Sequence, residues 1–493
     1  MSIGDDVQTF EATVTSQSAP PRGRKREVFA DIEDALFLCL MIGLAAAPFY
    51  LGSNRSLAWG LNALYFGVLA AAFEIALLVT RRRRPVAARR LILPILAFAV
   101  VSVLLLVQST DWTPNSRPDA WSHPIWQMTR QSIGGVVRGA ISIDPGKTSY
   151  ALTRFATAAC VFWLAVQLGR SSLRARRLVA GTALIGLAYA AYGLIAFFAF
   201  PTKLLWFDKL YYLESVTSTF VNRNSYATYA GIGLVAMLGW TISHYLRRVD
   251  AAGRAVGHKI AAAVAVTIGQ GGLLIPGLFI IGVALMLTGS RGGIMATGAG
   301  VATFALLSVL RGRRYGVGVS FPLLAAGLAI AAPIFTFDRV LAGRLTDFGF
   351  DGDDRLAADA LTLRAVGDSP FIGYGDGGFQ ETFAIYRDST IGPGGIWEKA
   401  HNTYVETLLG IGVPASALLF LVLGLLVGRC VYGALTRKTA ALAPLTASVS
   451  SVLVALHAFV DFSLQMQAVT LTWAALLGAG VAQSWSGRVA TDR

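Results

Sequence analysis

The stretch LMLTGSRGGIMATGAG, residues 285–300, joins two long apolar runs through one arginine, Arg291, and two glycines. A guanidinium in the centre of a bilayer costs several kcal/mol, roughly 2.5–3.5 on insertion scales. The fold turns on whether Arg291 lies at a membrane surface or within the hydrocarbon. The flanking sequence decides it.

Of the 493 residues, 55% are hydrophobic and only 14% charged, and the mean hydropathy is +0.58. Soluble domains carry about 25% charged residues, so the chain reads as an all-α, polytopic membrane protein. A net charge of +14 would suggest nucleic-acid binding in a soluble protein. Here the basic residues fall in short segments between apolar runs, so they report topology and no nucleic acid is expected. Residues 1–30 are polar, contain Pro, Ser and Thr, and end in a basic cluster. They read as a disordered cytoplasmic tail rather than a signal peptide. The cysteines Cys39, Cys160 and Cys430 lie in or beside apolar runs, offer no CxxC metal pair, and carry no signal.

Runs long enough to span occur at 33–52, 57–80, 91–108, 150–168, 178–200, 224–243, 266–288, 292–310, 317–337, 402–427, 440–460 and 466–484. The seventh contains Gly271–Gly272, a possible break. Twelve helices are therefore expected, forming one transmembrane domain over 31–485. Most of the 42 Lys and Arg fall on the side that holds RRRRPVAARR (81–90) and GRSSLRARR (169–177), which makes that side cytoplasmic. Both termini then face the cytoplasm. Three larger loops face outward, at 109–149, 201–223 and 338–400, the last being the largest. Within it, Leu356, Ala360 and Leu363 recur at helical spacing and predict a surface helix ending near Gly367 and Pro370. On this topology Arg291 lies at the outer surface, in the short turn between the seventh and eighth spans.

Three features then share a geometry. Arg223 precedes Asn224, a candidate N-cap of the sixth span, with Asn222 beside it in FVNRNSYA (220–227). Ser290 is a candidate cap of the eighth span behind Arg291, and Gly292 and Gly293 leave its first turn bare. His401 and Asn402 precede the tenth span, where Thr403 and Glu406 have capping-box spacing. Helix N-termini offer free N–H groups to a phosphate, arginine offers a two-pronged fork, and histidine titrates near neutrality as a general base. Together they suit a phosphorylated lipid and a hydroxyl that must lose a proton. The ordinary alternatives are interfacial anchoring for the arginines and turn formation for the asparagines.

Other motifs weigh less. His457 and Asp461, four apart in HAFVDFSLQMQ (457–467), share a helix face and either line the same cavity or close a turn. Glu74 inside the second span is either a proton relay or a satisfied bundle glutamate. GYGDGGF (373–379) has no Rossmann strand before it and reads as a turn. The acid-rich DFGFDGDDR (347–355) lacks the ligand spacing of a calcium loop and reads as a solvated loop.

In FVNRNSYA, LTGSRGG, DRLAADALTLRAVGDSPFIGYGDGGF and AHNTYVETLLGIGVPA the sequence resembles the O-antigen ligase and O-antigen polymerase superfamily of bacterial envelope glycosyltransferases. The resemblance covers about 205–425. It implies a GT-C-like enzyme without metal or cofactor, embedded in the bacterial inner membrane with its active site facing the periplasm. The implied donor is an undecaprenyl diphosphate-linked glycan. The implied acceptor is another lipid-linked glycan or lipid A–core, and a flippase and a chain-length regulator are implied partners. By that similarity Arg223 and Arg291 would bind the diphosphate and His401 would activate the acceptor hydroxyl, with inversion. Asn222, Asn224, Ser290, Gly292, Gly293, Asn402 and Asp461 would support them. Arg339, Arg344, Arg355 and Arg364 are further candidates to touch phosphate or sugar. The late HAFVDFSLQMQ favours a polymerase over a ligase. A polysaccharide or lipid transporter is the alternative of another class, and a non-catalytic scaffold a third.

Overall fold

The computed structural model describes residues 24–111, 122–135, 137–251, 258, 271–315, 351–391 and 395–485. These residues form helices and one two-stranded hairpin. The helices are α1 (Arg24–Ala46), α2 (Ser56–Thr80), α3 (Ile92–Ser109), α4 (Ile125–Ile133), α5 (Pro145–Leu168), α6 (Ser172–Ala199) and α7 (Arg223–Ala251). They continue with α8 (Gly271–Leu287), α9 (Arg291–Tyr315), α10 (Asp351–Asp368), α11 (Phe379–Tyr386), α12 (Thr403–Thr436), α13 (Leu442–His457) and α14 (Gln467–Gln483). The hairpin pairs β1 (Lys203–Leu204) with β2 (Phe207–Asp208).

Eleven of the twelve expected spans coincide with a helix; the ninth, 317–337, lies outside the described residues. Among the described residues, six helices are long and apolar enough to cross a membrane: 56–80, 88–109, 145–168, 172–199, 291–312 and 403–436. Residues 273–287 and 442–457 form shorter apolar helices. The described part of α8 runs from Gly271; residues 259–270 lie outside the described residues, so the expected break at Gly271–Gly272 lies at their edge. Helix α1 starts at Arg24, inside the segment read as a tail. Helix α5 starts earlier than its apolar run because Asp144 caps it, accepting from Lys147 N at 2.9 Å, with Pro145 at its first position.

Burial is inverted relative to a soluble protein at the rim. On α2, Leu64, Leu78 and Val79 are 66–78% exposed, an apolar face that lipid rather than water would cover. The centre is α14, buried along nearly its whole length against α5, α13, α12 and α6. Small residues allow that closeness: a Cβ on Gly478 would lie 2.6 Å from Phe162 O. Helices α6 and α7 meet the same way, with Gly186 against Gly233. Packing of small residues is how helices associate where no hydrophobic effect drives them together.

Outside this bundle, α10, α11 and the chain leading to α12 build a second small core from Ala358, Leu361, Ala365, Val366, Phe379 and Phe383. The predicted surface helix is therefore present, but its packed face was misassigned. Leu356 and Leu363 are 70% and 49% exposed, and Ala360 is exposed too. The buried set is one register over, because α11 and the start of α12 supply the partners. GYGDGGF is a turn: Gly373, Gly375 and Gly377 have positive φ, and Tyr374 N and Gly375 N donate to Leu409 O and Gly410 O at 2.9 and 3.0 Å. Of the acid-rich segment, residues from Asp351 onward open α10 as helix rather than loop; Asp347 lies outside the described residues.

Candidate active site

Three helix N-termini converge. At α9 the connection from α8 is only residues 288–290, where Gly289 takes φ +61. Thr288 Oγ1 accepts from Ser290 N at 3.1 Å, and Ser290 Oγ accepts from Gly293 N at 3.3 Å. Ser290 is thus the cap, and Arg291 is the first helical residue and exposed.

At α7 the cap is not Asn224. Asn222 Oδ1 accepts from Asn224 N at 2.7 Å and Ser225 N at 3.2 Å, so the helix begins two residues earlier than the cap reading required. Arg223 consequently sits in the first turn. Its guanidinium lies 5.3 Å from the centre of the Tyr212 ring and donates to Ser215 Oγ at 3.4 Å, which aims it.

At α12 the capping box does not form. Asn402 is the cap, accepting from Tyr404 N and Val405 N at 3.1 and 3.3 Å. Thr403 Oγ1 instead donates to Asp461 O at 2.9 Å, and Glu406 accepts from Ala400 N at 3.0 Å and Lys399 Nζ at 3.4 Å. The short Asn side chain reaches the helix amides from the residue before Thr403, so Glu406 is free to close the loop behind His401. That loop holds His401 at φ +57, a left-handed conformation that costs a non-glycine residue roughly 1–2 kcal/mol. Its ring stands edge-on between Trp397, at 6.1 Å, and Phe462, at 4.9 Å. Strain of this kind persists where surrounding structure enforces it, and it clusters at functional sites.

These three starts enclose a cavity of about 450 Å³. Arg223, Asn224, Ser290, Arg291, Gly292 and His401 all line it, joined by Arg355, Asp359 and His457. The remaining predicted residues stand behind the wall. Asn222 and Asn402 cap helices, and Asn402 Nδ2 also donates to Asp359 Oδ2 at 3.0 Å. Gly293 faces α7 rather than the cavity: a Cβ there would lie 2.5 Å from Ala227 Cβ. Asp461 is fully buried and accepts from Ser463 Oγ.

Arg355 belongs to the flagged loop arginines, and its Nη1 donates to Val460 O at 3.3 Å, which brings α10 over the cavity. Arg364 does not line the cavity, and Arg339 and Arg344 lie outside the described residues. Asp359 escaped the sequence reading. The signal was present as an i, i+4 pair with Arg355, but it was hidden by the misread face of α10. Burial raises the Asp359 carboxyl above the usual aspartate range, and the Asn402 amide opposes that only in part.

Three arginines, two histidines, helix N-termini and a single carboxylate make the wall strongly electropositive. Such a wall suits a multiply charged anion, with an imidazole positioned beside it. Among the described residues no three His, Cys, Asp or Glu are grouped to hold a metal ion. Glu74 does not line this cavity. It pairs with Arg84 at 2.7 Å and accepts from Trp163 Nε1 at 2.9 Å, the satisfied bundle glutamate of the two readings.

Residues 276–420 match the family model described as O-Antigen ligase. The match begins in α8 and ends in α12, so it contains Ser290, Arg291, Arg355, Asp359 and His401 and leaves out Arg223 and His457. No curated protein matches the chain.

Proposed function

We propose that the chain, whose residues 276–420 match the O-Antigen ligase family model, is a membrane glycosyltransferase of the O-antigen ligase and polymerase superfamily acting on a lipid diphosphate-linked glycan. The carrying observation is that Arg223, Arg291 and His401, from three separate helix starts, share one cavity. The full architecture proposed is GT-C-like, with twelve spans, both termini cytoplasmic and the cavity opening to the periplasm of the bacterial inner membrane.

Arg223 and Arg291 hold the undecaprenyl diphosphate of the donor, with the amides at the start of α9 behind it. His401 accepts the proton of the acceptor hydroxyl as its oxygen bonds to the anomeric carbon. The bond from that carbon to the phosphate oxygen breaks, and undecaprenyl diphosphate leaves with the electron pair. Attack opposite the leaving group inverts the anomeric centre. The arginines stabilise the charge gathering on the diphosphate, so the reaction proceeds without a metal. Arg355 closes the site from the large outer loop.

The acceptor proposed is a second lipid-linked glycan, making the protein a polymerase of a surface polysaccharide; the ligase reading differs only in using lipid A–core. Twelve spans, Glu74 and a break in the seventh span would suit a transporter, and the ion pair of Glu74 with Arg84 accounts for that residue.

The test supplies purified protein in lipid with undecaprenyl diphosphate-linked repeat units, with and without lipid A–core. A ladder from the lipid-linked units alone is expected. A single shifted product only with core makes it a ligase. No product from folded protein and native substrate overturns the enzyme reading.

A further inference from the structure

The proposed reaction assigns no work to His457, yet its imidazole is buried and hydrogen-bonded in the cavity wall. It closes α13, is 1% exposed, and forms part of the cavity wall. Its Nδ1 is hydrogen-bonded to Thr228 Oγ1 on α7. Thr228 Oγ1 donates to Ser463 Oγ at 2.8 Å, and Ser463 Oγ donates to Asp461 Oδ2.

The direction of this chain follows from counting hydrogens. Each hydroxyl has one. Ser463 gives its hydrogen to the carboxylate, and Thr228 gives its one hydrogen to Ser463 at 2.8 Å or to Asn224 O at 3.3 Å, the shorter contact being Ser463. With Asp461 ionised, Thr228 then accepts from His457, so Nδ1 carries a proton and Nε2 is the nitrogen left to the cavity. Gly292 makes room for it: a Cβ there would lie 3.0 Å from both His457 Nε2 and Cδ2. The Nε2 edge thus lies against the first turn of α9, where Ser290 and Arg291 form the same wall.

Asp461 supplies the matching charge. It is 0% exposed, and its Oδ1 has no hydrogen-bond partner among the described residues. A buried carboxylate is costly unless a positive charge compensates it. The two hydroxyls connect it to the imidazole of His457.

We propose that His457 is a third cationic ligand of the diphosphate, protonated at Nε2 when the anion is bound, with Thr228, Ser463 and Asp461 as the relay that holds its charge. This rests on the reading that the cavity takes a diphosphate. His457 would then contact the lipid diphosphate from the α13 side, while Arg291 and Arg223 contact it from α9 and α7. Its role is binding; the proton of the acceptor hydroxyl still goes to His401.

The test measures binding of farnesyl diphosphate, and of inorganic pyrophosphate in parallel, to the full chain in lipid nanodiscs between about pH 5.5 and 8.5. The titratable and charged groups around His457 are Asp461, joined to it through Thr228 and Ser463, and, lining the same cavity, Arg223 from α7, Arg291 from α9, Arg355 and Asp359 from α10, and His401. Asp359→Asn is therefore the background for every variant. In that background, binding is expected to weaken about tenfold as pH rises through the histidine range. The last ionisation of the ligand runs the other way, since it makes the anion more negative at high pH. His457→Gln is expected to bind about tenfold more weakly at low pH and to lose this pH dependence. Ser463→Ala, a smaller change that interrupts the relay, is expected to shift the weakening to lower pH, and it decides the matter where His457→Gln does not fold. Unchanged affinity and pH profile in Ser463→Ala and His457→Gln would overturn the proposal, as would a pH dependence that vanishes in His401→Gln instead. If neither ligand binds the parent protein, or Arg291→Ala leaves binding intact, the diphosphate site itself is wrong.

Discussion

In the proposed reaction Arg291 and His401 do different work, and substitutions separate them. Arg291→Ala should lower turnover roughly 10- to 100-fold, the loss expected for a charged two-pronged contact. Arg291→Lys should keep part of the rate, because charge survives without the planar fork. His401→Ala should cost roughly 100- to 10,000-fold with the donor still bound. Initial rates and donor affinity, measured together on purified protein, check all three. Asp359 offers a test of sign. Burial raises its carboxyl on folding, so the folded state binds that proton more tightly and ionisation opposes folding. Asp359→Asn can still accept from Asn402 Nδ2, and should melt higher than the parent near neutral pH. The difference should shrink as pH falls and the native carboxyl is protonated. An advantage that grew on acidification would contradict the burial argument.

At the scale of elements, the caps set where arginines and histidine stand. Asn222→Ala removes the acceptor for Asn224 N and Ser225 N and should cost about 1 kcal/mol. Asn224→Ala should cost less, since Asn224 is not the cap; melting temperatures of the two variants compare them. Gly293→Val places new carbon where Ala227 already lies, so it should push α9 from α7 and lower both stability and rate. The same substitution at Gly298, where a Cβ meets nothing within 4 Å, is the control. The sequence announced each of these helix starts within a few residues, but it misassigned two of the caps. Asn, Ser and Thr all serve as caps, and which one does depends on where the preceding loop enters the helix, a tertiary matter. The misread face of α10 has the same origin. Apolar spacing finds the helix, but Leu356 at the cavity and Leu363 in the exposed set compete with Leu361 until α11 is in place.

For the whole molecule, the proposed topology predicts chemical labelling. A membrane-impermeant thiol reagent applied from the periplasmic side should label Asn54→Cys and Thr390→Cys and spare Arg83→Cys. Labelling of position 83 from that side would invert the topology and place the cavity in the cytoplasm. Product formation by the reconstituted protein should also survive collapse of the proton gradient, and Glu74→Gln should leave it intact, since Glu74 is occupied by Arg84 and Trp163.

By itself the sequence determined the class of molecule, the positions of the apolar helices, and the delivery of Arg223, Arg291 and His401 to helix starts. Those properties follow from local composition and period: a bilayer demands long apolar runs, and charges among them fall at their ends. Only the tertiary structure decided that the three starts share one cavity, that Asp359 and Arg355 join them from α10, and that His457 reaches Asp461 through Thr228 and Ser463. Thr228 and His457 stand on helices α7 and α13, far apart in the chain. No periodicity or spacing relates them, because the packing of α7 against α13 and α9 fixes their distance, and packing of small residues in a membrane leaves almost no signature along the sequence.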